Sequence, residues 1–227
     1  MVSGVMDTGE RMTMAPTRAV PLAERGHVVL HGISWETYEA LLHEEGMRNL
    51  RLTYDKGELE IMSPLPRHER INRLIGRMVE TMALEMDIPI ASYGSTTFKR
   101  KALGQGLEPD ECHYVQRAEK ARDPDKLDVG WDVPDLVVEV DITSRSIERQ
   151  PIYAALGVPE LWRFDGARIE SLHLASGHYR RRQRSRAFPF LRMADVQRFL
   201  SRFPGADEHT VLRAWRDFVR VLPRGPK

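Results

Sequence analysis

Three carboxylates at the ends of two apolar runs carry the clearest chemical signal in this chain: Asp110 within Glu108-Pro109-Asp110-Glu111, and Glu139 with Asp141 in the run from Asp135 to Thr143. Side chains alternate along a strand, which puts Leu136, Val138 and Val140 on one face and Val137, Glu139 and Asp141 on the other. Two residues of strand rise separate the Glu139 and Asp141 Cα atoms by roughly 6 to 7 Å. At that spacing both side chains can converge on one divalent cation, which takes hard oxygen ligands. Unpaired in an apolar strand, the same groups would be costly to bury. Asp110, Glu139 and Asp141 are therefore the candidate metal ligands. The bland alternative is a set of strand-end acids holding helix termini or arginines.

The elements that would position these residues follow from pattern and punctuation. A capping Ser34, early acids and Gly46 delimit a short first helix. Leu50 to Tyr54 and Glu58 to Met62 flank Asp55-Lys56-Gly57, the residues of a tight hairpin turn. From Pro66 to Met86, Ile71, Leu74, Ile75, Met78, Val79 and Met82 recur at helical spacing, with Arg70, Arg73 and Arg77 on a separate stripe. Strands are expected at Ala91 to Tyr93, Thr96 to Phe98, Glu111 to Val115 and Leu136 to Ile142. Pro151 fits only the first turn of a helix, which sets a helix from Glu148 to Leu156 with Arg149 at its mouth. Strands at Glu160 to Phe164 and Ala167 to Leu174 turn through Asp165-Gly166, and Tyr179 to Arg182 pairs beyond them. Helices from Ala194 to Phe203 and Asp207 to Leu222 complete the pattern.

The 227 residues carry a net charge of only +1, which excludes a globally basic nucleic-acid coat and leaves phosphate contact to local clusters. Three such clusters stand out: the stripe of Arg70, Arg73 and Arg77, the triplet Lys99-Arg100-Lys101, and the run from Arg180 to Arg186. Each has the charge to track a phosphate backbone, and each also reads as a solvated face. One cysteine, Cys112, forbids an intrachain disulfide and reads as a packing residue. No apolar run reaches the roughly 18 residues of a membrane span, and no secretory core opens the chain, so a soluble cytoplasmic protein is expected. Residues 1–22 lack periodicity and are expected to be a disordered tail, with 23–227 a single domain.

Further candidates are weaker. Glu60 lies in a strand, where facing the carboxylate cleft and facing solvent are equally open. His68 begins the long helix beside Glu69; a lone histidine there reads first as a surface or capping-region residue. Tyr153, Trp162 and Trp215 read as core.

Taken together, Glu60-Ile-Met-Ser-Pro64, His68, Gly106-Leu-Glu-Pro-Asp110, Pro134-Asp-Leu-Val-Val-Glu-Val140 and Tyr153-Ala-Ala-Leu-Gly-Val-Pro-Glu-Leu-Trp162 resemble, in order and spacing, the Uma-two family of restriction-endonuclease-like proteins. The resemblance runs from about Glu24 to the last helix and implies membership of the PD-(D/E)XK nuclease superfamily. It implies an α/β fold of the α+β type, a restriction-endonuclease-like core with a central mixed sheet flanked by helices. It also implies Mg2+ or Mn2+ held by Asp110 and Glu139 beside a scissile DNA phosphate. His68 matches a family position as well. Asp141 stands where the superfamily has its lysine, and Arg149 where many family members place one early in the next helix. Arginine stays protonated, so Arg149 would stabilise a pentavalent phosphate but not act as a base. The expected function is a metal-dependent endonuclease with Asp110, Glu139, Asp141 and Arg149 as its catalytic set, and with Arg70, Arg73, Arg77, Lys99 and Lys101 on DNA. A homodimer stays open. The alternative is a catalytically degenerate nuclease fold that binds nucleic acid or protein. A carboxylate-pair glycosidase is set aside, because its two acids must flank a sugar from opposite sides.

Overall fold

Ser34 fixes the entry to the first helix: its Oγ accepts the Thr37 N–H at 3.1 Å, and helix α1 runs over Trp35–His43. The computed structural model describes residues 27–142 and 147–223; the tail expected over 1–22 lies outside them, as does Thr143. Strands β2 (Arg51–Asp55) and β3 (Glu58–Met62) form the expected hairpin. Its two turn residues, Lys56 at φ 50° and Gly57 at φ 103°, are both left-handed, the combination that matches strand twist in a two-residue turn. Two strands unmarked in the sequence complete this sheet: β1 (His27–Leu30) and β6 (Gln105–Leu107). With β5 (Phe98–Arg100), which starts two residues later than expected, the order is β1-β3-β2-β6-β5, all antiparallel. Gly106 is required in β6, since a Cβ there would stand 2.5 Å from the Tyr38 hydroxyl on α1.

The second sheet is mixed and holds six strands: β4 (Ala91–Ser92), β7 (Glu111–Tyr114), β8 (Leu136–Val140), β9 (Glu160–Phe164), β10 (Ile169–Ala175) and β11 (His178–Arg182). Their order is β11-β10-β9-β8-β7-β4. Among the described residues only β8 and β9 run parallel, and helix α3 (Arg149–Leu156) supplies the crossover between them. Pro151 sits in its first turn and Gly157 closes it at φ 91°.

The alternation along β8 sorts the core. Leu136, Val138 and Val140 pack with Trp162 and Phe164 against helices α2 (Pro66–Glu85), α4 (Met193–Leu200) and α5 (Glu208–Arg220). Trp215 on α5 is buried there and donates to the Met78 carbonyl at 2.8 Å. Val137, Leu161 and Cys112 lie on the opposite face with Ile152, Tyr153 and Leu156 of α3. The helix expected to reach Phe203 stops at Leu200, because Phe203-Pro204-Gly205 tightens into a 3-10 turn. The architecture is thus α+β, a central mixed sheet flanked by helices with an antiparallel sheet beside it.

Candidate functional site

Strands β7 and β8 are antiparallel, with Glu111 opposite Val138, so Asp110, just before β7, lies beside the end of β8 that carries Glu139. Both carboxylates are buried. Asp110 is tied to the strand backbone: its Oδ2 accepts the Val140 N–H at 2.8 Å. Helix α2 secures it from the other side. Asn72 Nδ2 donates to the Asp110 carbonyl at 3.0 Å, and His68 Nε2 stands 3.1 Å from Asp110 Oδ2. Asn72 follows His68 by four residues, so both project from one helix face.

Glu139 faces α3. Arg149, first residue of that helix, approaches both its oxygens with one nitrogen, at 2.9 Å and 2.7 Å, and its other terminal nitrogen donates to the Glu108 carbonyl. The Tyr153 hydroxyl, one turn further along α3, donates to Glu139 Oε1. Burial works against the Arg149 charge, yet the adjoining Glu139 holds its pKa above the usual arginine value. Burial, reinforced by Glu139, pushes the Tyr153 phenol well above its ordinary value, so it remains a donor.

A second tier surrounds this pair. Glu69 Oε1 lies 3.5 Å from His68 Nδ1 and 3.9 Å from Arg51, which also stands 4.0 Å from Glu108 Oε2. The His68 hydrogen bond leads the effects that lower the Glu69 pKa, whereas burial raises that of Glu108 against the pull of Arg51 and Thr97. Tyr153, Glu108, Asn72 and Arg51 are members that sequence reasoning left out. Two had a legible signal: Glu108 shares strand parity with Asp110, and Tyr153 sits four residues after Arg149.

Several expected positions change. Asp141 lies just beyond β8, and its Oδ2 pairs with Arg163 of β9 at 3.1 Å, because Arg163 stands beside Glu139 in the parallel register. Glu60 is not solvent-facing but buried, in the middle strand position of β3 between β1 and β2. His68 is not a surface residue either, since the first turn of α2 leans over Asp110. The five basic residues expected on DNA all hold carboxylates: Arg70 and Arg77 grip Glu208 of α5, Arg73 pairs with Glu111, Lys99 with Glu39 and Lys101 with Glu36.

No group of three or more His, Cys, Asp or Glu side chains among the described residues is placed to hold a metal ion. Asp110 and Glu139 nevertheless supply two buried hard oxygen donors, with Glu69, Glu108, Arg51 and Arg149 nearby, so that acids outnumber arginines around them. That donor set fits Mg2+, which binds through one or two carboxylates and completes its shell with water and substrate phosphate.

No curated protein matches the chain. A sequence model of the family Uma2, described as putative restriction endonuclease, matches residues 35–203. That span takes in α1, every strand except β1 and every residue of the Asp110–Glu139 site, and the chain belongs to this family.

Proposed function

We propose that the protein hydrolyses DNA phosphodiester bonds with a divalent cation, Mg2+ or Mn2+, held by Asp110 and Glu139. The observation that carries this reading is the burial of two carboxylates on adjacent strand ends with Arg149 and Tyr153 gathered on one of them. When bound, the cation would polarise the scissile phosphate and acidify the attacking water. Asp110 is held for that task by the Val140 N–H and His68. Arg149 aims Glu139 by contacting both its oxygens, and places a permanent positive charge where the pentavalent phosphate develops negative charge. Tyr153 fixes the carboxylate rotamer by donating to Oε1. No lysine takes part, so deprotonation of water limits the rate, and activity rises with pH.

The reading is tested by nicking of supercoiled plasmid with Mn2+ across pH. Wild type should nick slowly, and faster at higher pH. Glu139→Ala and Arg149→Ala should each fall by about a hundredfold or more. Mn2+ at a hundred times its dissociation constant should stabilise wild type by about 2.7 kcal/mol, and Asp110→Ala with Glu139→Ala should lose that gain. A second reading is favoured by the Arg149 contact to both Glu139 oxygens: a degenerate module in which arginine has taken the cation's place. Wild type that nicks no better than Glu139→Ala under any condition establishes that module instead.

A further inference from the structure

The arginine run that ends β11 does something different from the paired basic residues of α2. A cavity of about 700 Å³ opens where the start of β10, the end of β11 and the start of α4 meet, over a floor that includes Ile169 and Met193. Arg168, Arg181, Arg182 and Arg192 line it, with Glu170 the one acid in its wall, and Glu170 already pairs with Arg181 at 3.1 Å. Asp165, on the preceding turn, uses its carboxylate on the backbone N–H groups of Ala167 and Arg168. Among the described residues Arg168, Arg182 and Arg192 form no ion pair, and all three are exposed. Helix α4 begins at this cavity without a side-chain cap, which adds the positive end of its dipole.

We propose that this cavity binds the phosphodiester backbone of a DNA duplex to one side of the Asp110–Glu139 site. The identity of the occupant rests on the nuclease reading; the affinity for a polyanion rests on the charge alone. Sheet register supports the placement. Glu139 lies opposite Arg163, and Arg163 opposite Glu170, so one row on the α3 face of the sheet leads from Glu139 to the cavity wall, and Ile169 and Met193 extend the cavity onto the α4 face. Strands about 4.8 Å apart put β10 roughly 10 Å and β11 roughly 14 Å from β8. At about 3.4 Å rise per nucleotide, that distance spans three to four base pairs. A competing account is that arginines on β11 merely protect an edge strand from pairing with another chain. It explains Arg180 to Arg182, but not Arg168 after the β9–β10 turn or Arg192 before α4, which sit on no edge strand yet line the same cavity. The α2 stripe, by contrast, offers little net charge, because Glu208 and Glu111 already balance it.

The test is fluorescence anisotropy of a labelled 30-base-pair duplex, titrated at several salt concentrations without divalent metal. The triple variant Arg168→Gln, Arg182→Gln, Arg192→Gln should flatten the slope of log affinity against log salt by about two to three units, near 0.9 per lost contact. The corresponding Lys triple should keep the wild-type slope, and Arg70→Gln, Arg73→Gln, Arg77→Gln should change it less. A Gln triple with the wild-type slope, or wild type that does not bind the duplex, overturns the proposal. Plasmid nicking is read in parallel. Nicking by wild type with an unaltered slope in the Gln triple removes this binding site and leaves the nuclease reading standing. A flattened slope without any nicking removes the nuclease and keeps the site.

Discussion

Glu139 and Glu160 sit on neighbouring parallel strands, both buried, and their partners differ in kind. Glu160 is held by neutral donors: the Trp162 indole at 2.8 Å, Ser171 at 2.6 Å, Ser185 at 3.0 Å, and the N–H groups of Arg186 and Ala187 at 2.9 and 2.7 Å. Burial alone would raise its pKa, but the His173 imidazole 3.6 Å away and hydrogen bonds from Ser171, Ala187 and Trp162 outweigh burial and lower it. Glu139 instead faces a guanidinium and a phenol, both from α3. A carboxylate stabilised by fixed dipoles from strands and a loop has nowhere to go, and anchors residues 185–187 to the sheet. One that faces a guanidinium already sits against positive charge, which a second cation can share. The first arrangement is architecture; the second leaves room for chemistry.

The largest effect should come from Glu160→Ala. It strands several buried donors at roughly 1–3 kcal/mol each, so a loss of about 4 kcal/mol or more is expected in urea unfolding, and a loss under about 1 kcal/mol breaks the comparison. Glu139→Ala comes next, at about 3–5 kcal/mol, because it leaves the Arg149 charge buried and uncompensated. Here a rescue exists: adding Arg149→Met should bring stability to within about 1.5 kcal/mol of wild type. A double variant as unstable as the single would place Glu139 with Glu160, among the architectural acids.

The smallest effect lies in pH. His113 is fully buried on β7, and burial lowers its pKa from the usual 6.5 to about 4. Above pH 6.5 neither the folded nor the unfolded chain protonates it, and its contribution is complete. Between 6.5 and 4 only the unfolded chain takes the proton, so stability falls by up to about 1.4 kcal/mol per pH unit. The Glu160 contribution behaves as a depressed carboxylate: present above the ordinary value of 4.5, and lost as pH falls through the folded pKa. Urea midpoints at pH 7, 5.5 and 4.5 should show His113→Gln removing the upper stage only. A slope unchanged by His113→Gln would assign that stage to another group.

Sequence patterning located the hairpin, the long helix, β8, β9 and α3 because each had both a period and a stop signal, such as Lys56-Gly57 or Leu156-Gly157. Strands β1 and β6 were missed for want of one: His27–Leu30 is short, and Gln105–Leu107 pairs around a glycine that local propensity disfavours. The placement of Asp110, Glu139 and Arg149 was legible from strand parity and from Pro151 fixing the helix start. The pairing of Asp141 with Arg163 was not, because it depends on the register between β8 and β9. Nor was the pairing of Arg70 and Arg77 with Glu208, whose partners lie far apart in the chain.

That last distance governs the order in which the molecule assembles. Glu139 and Arg149 are 10 residues apart, whereas the Trp215 to Met78 bond that seats α5 on α2 spans 137. Closing the longer loop costs about 2 kcal/mol more in chain entropy. The β8–α3–β9 unit is therefore expected to form first, with α5 docking last over the apolar face of α2. Pulsed hydrogen exchange during refolding should protect α3 amides before those of α5, and simultaneous protection would refute that order. In the interval the part of α2 that Trp215 seats on, around Met78, stays uncovered. The interval before α5 docks, rather than any weakness of the carboxylate cluster, is when this chain is most open to aggregation.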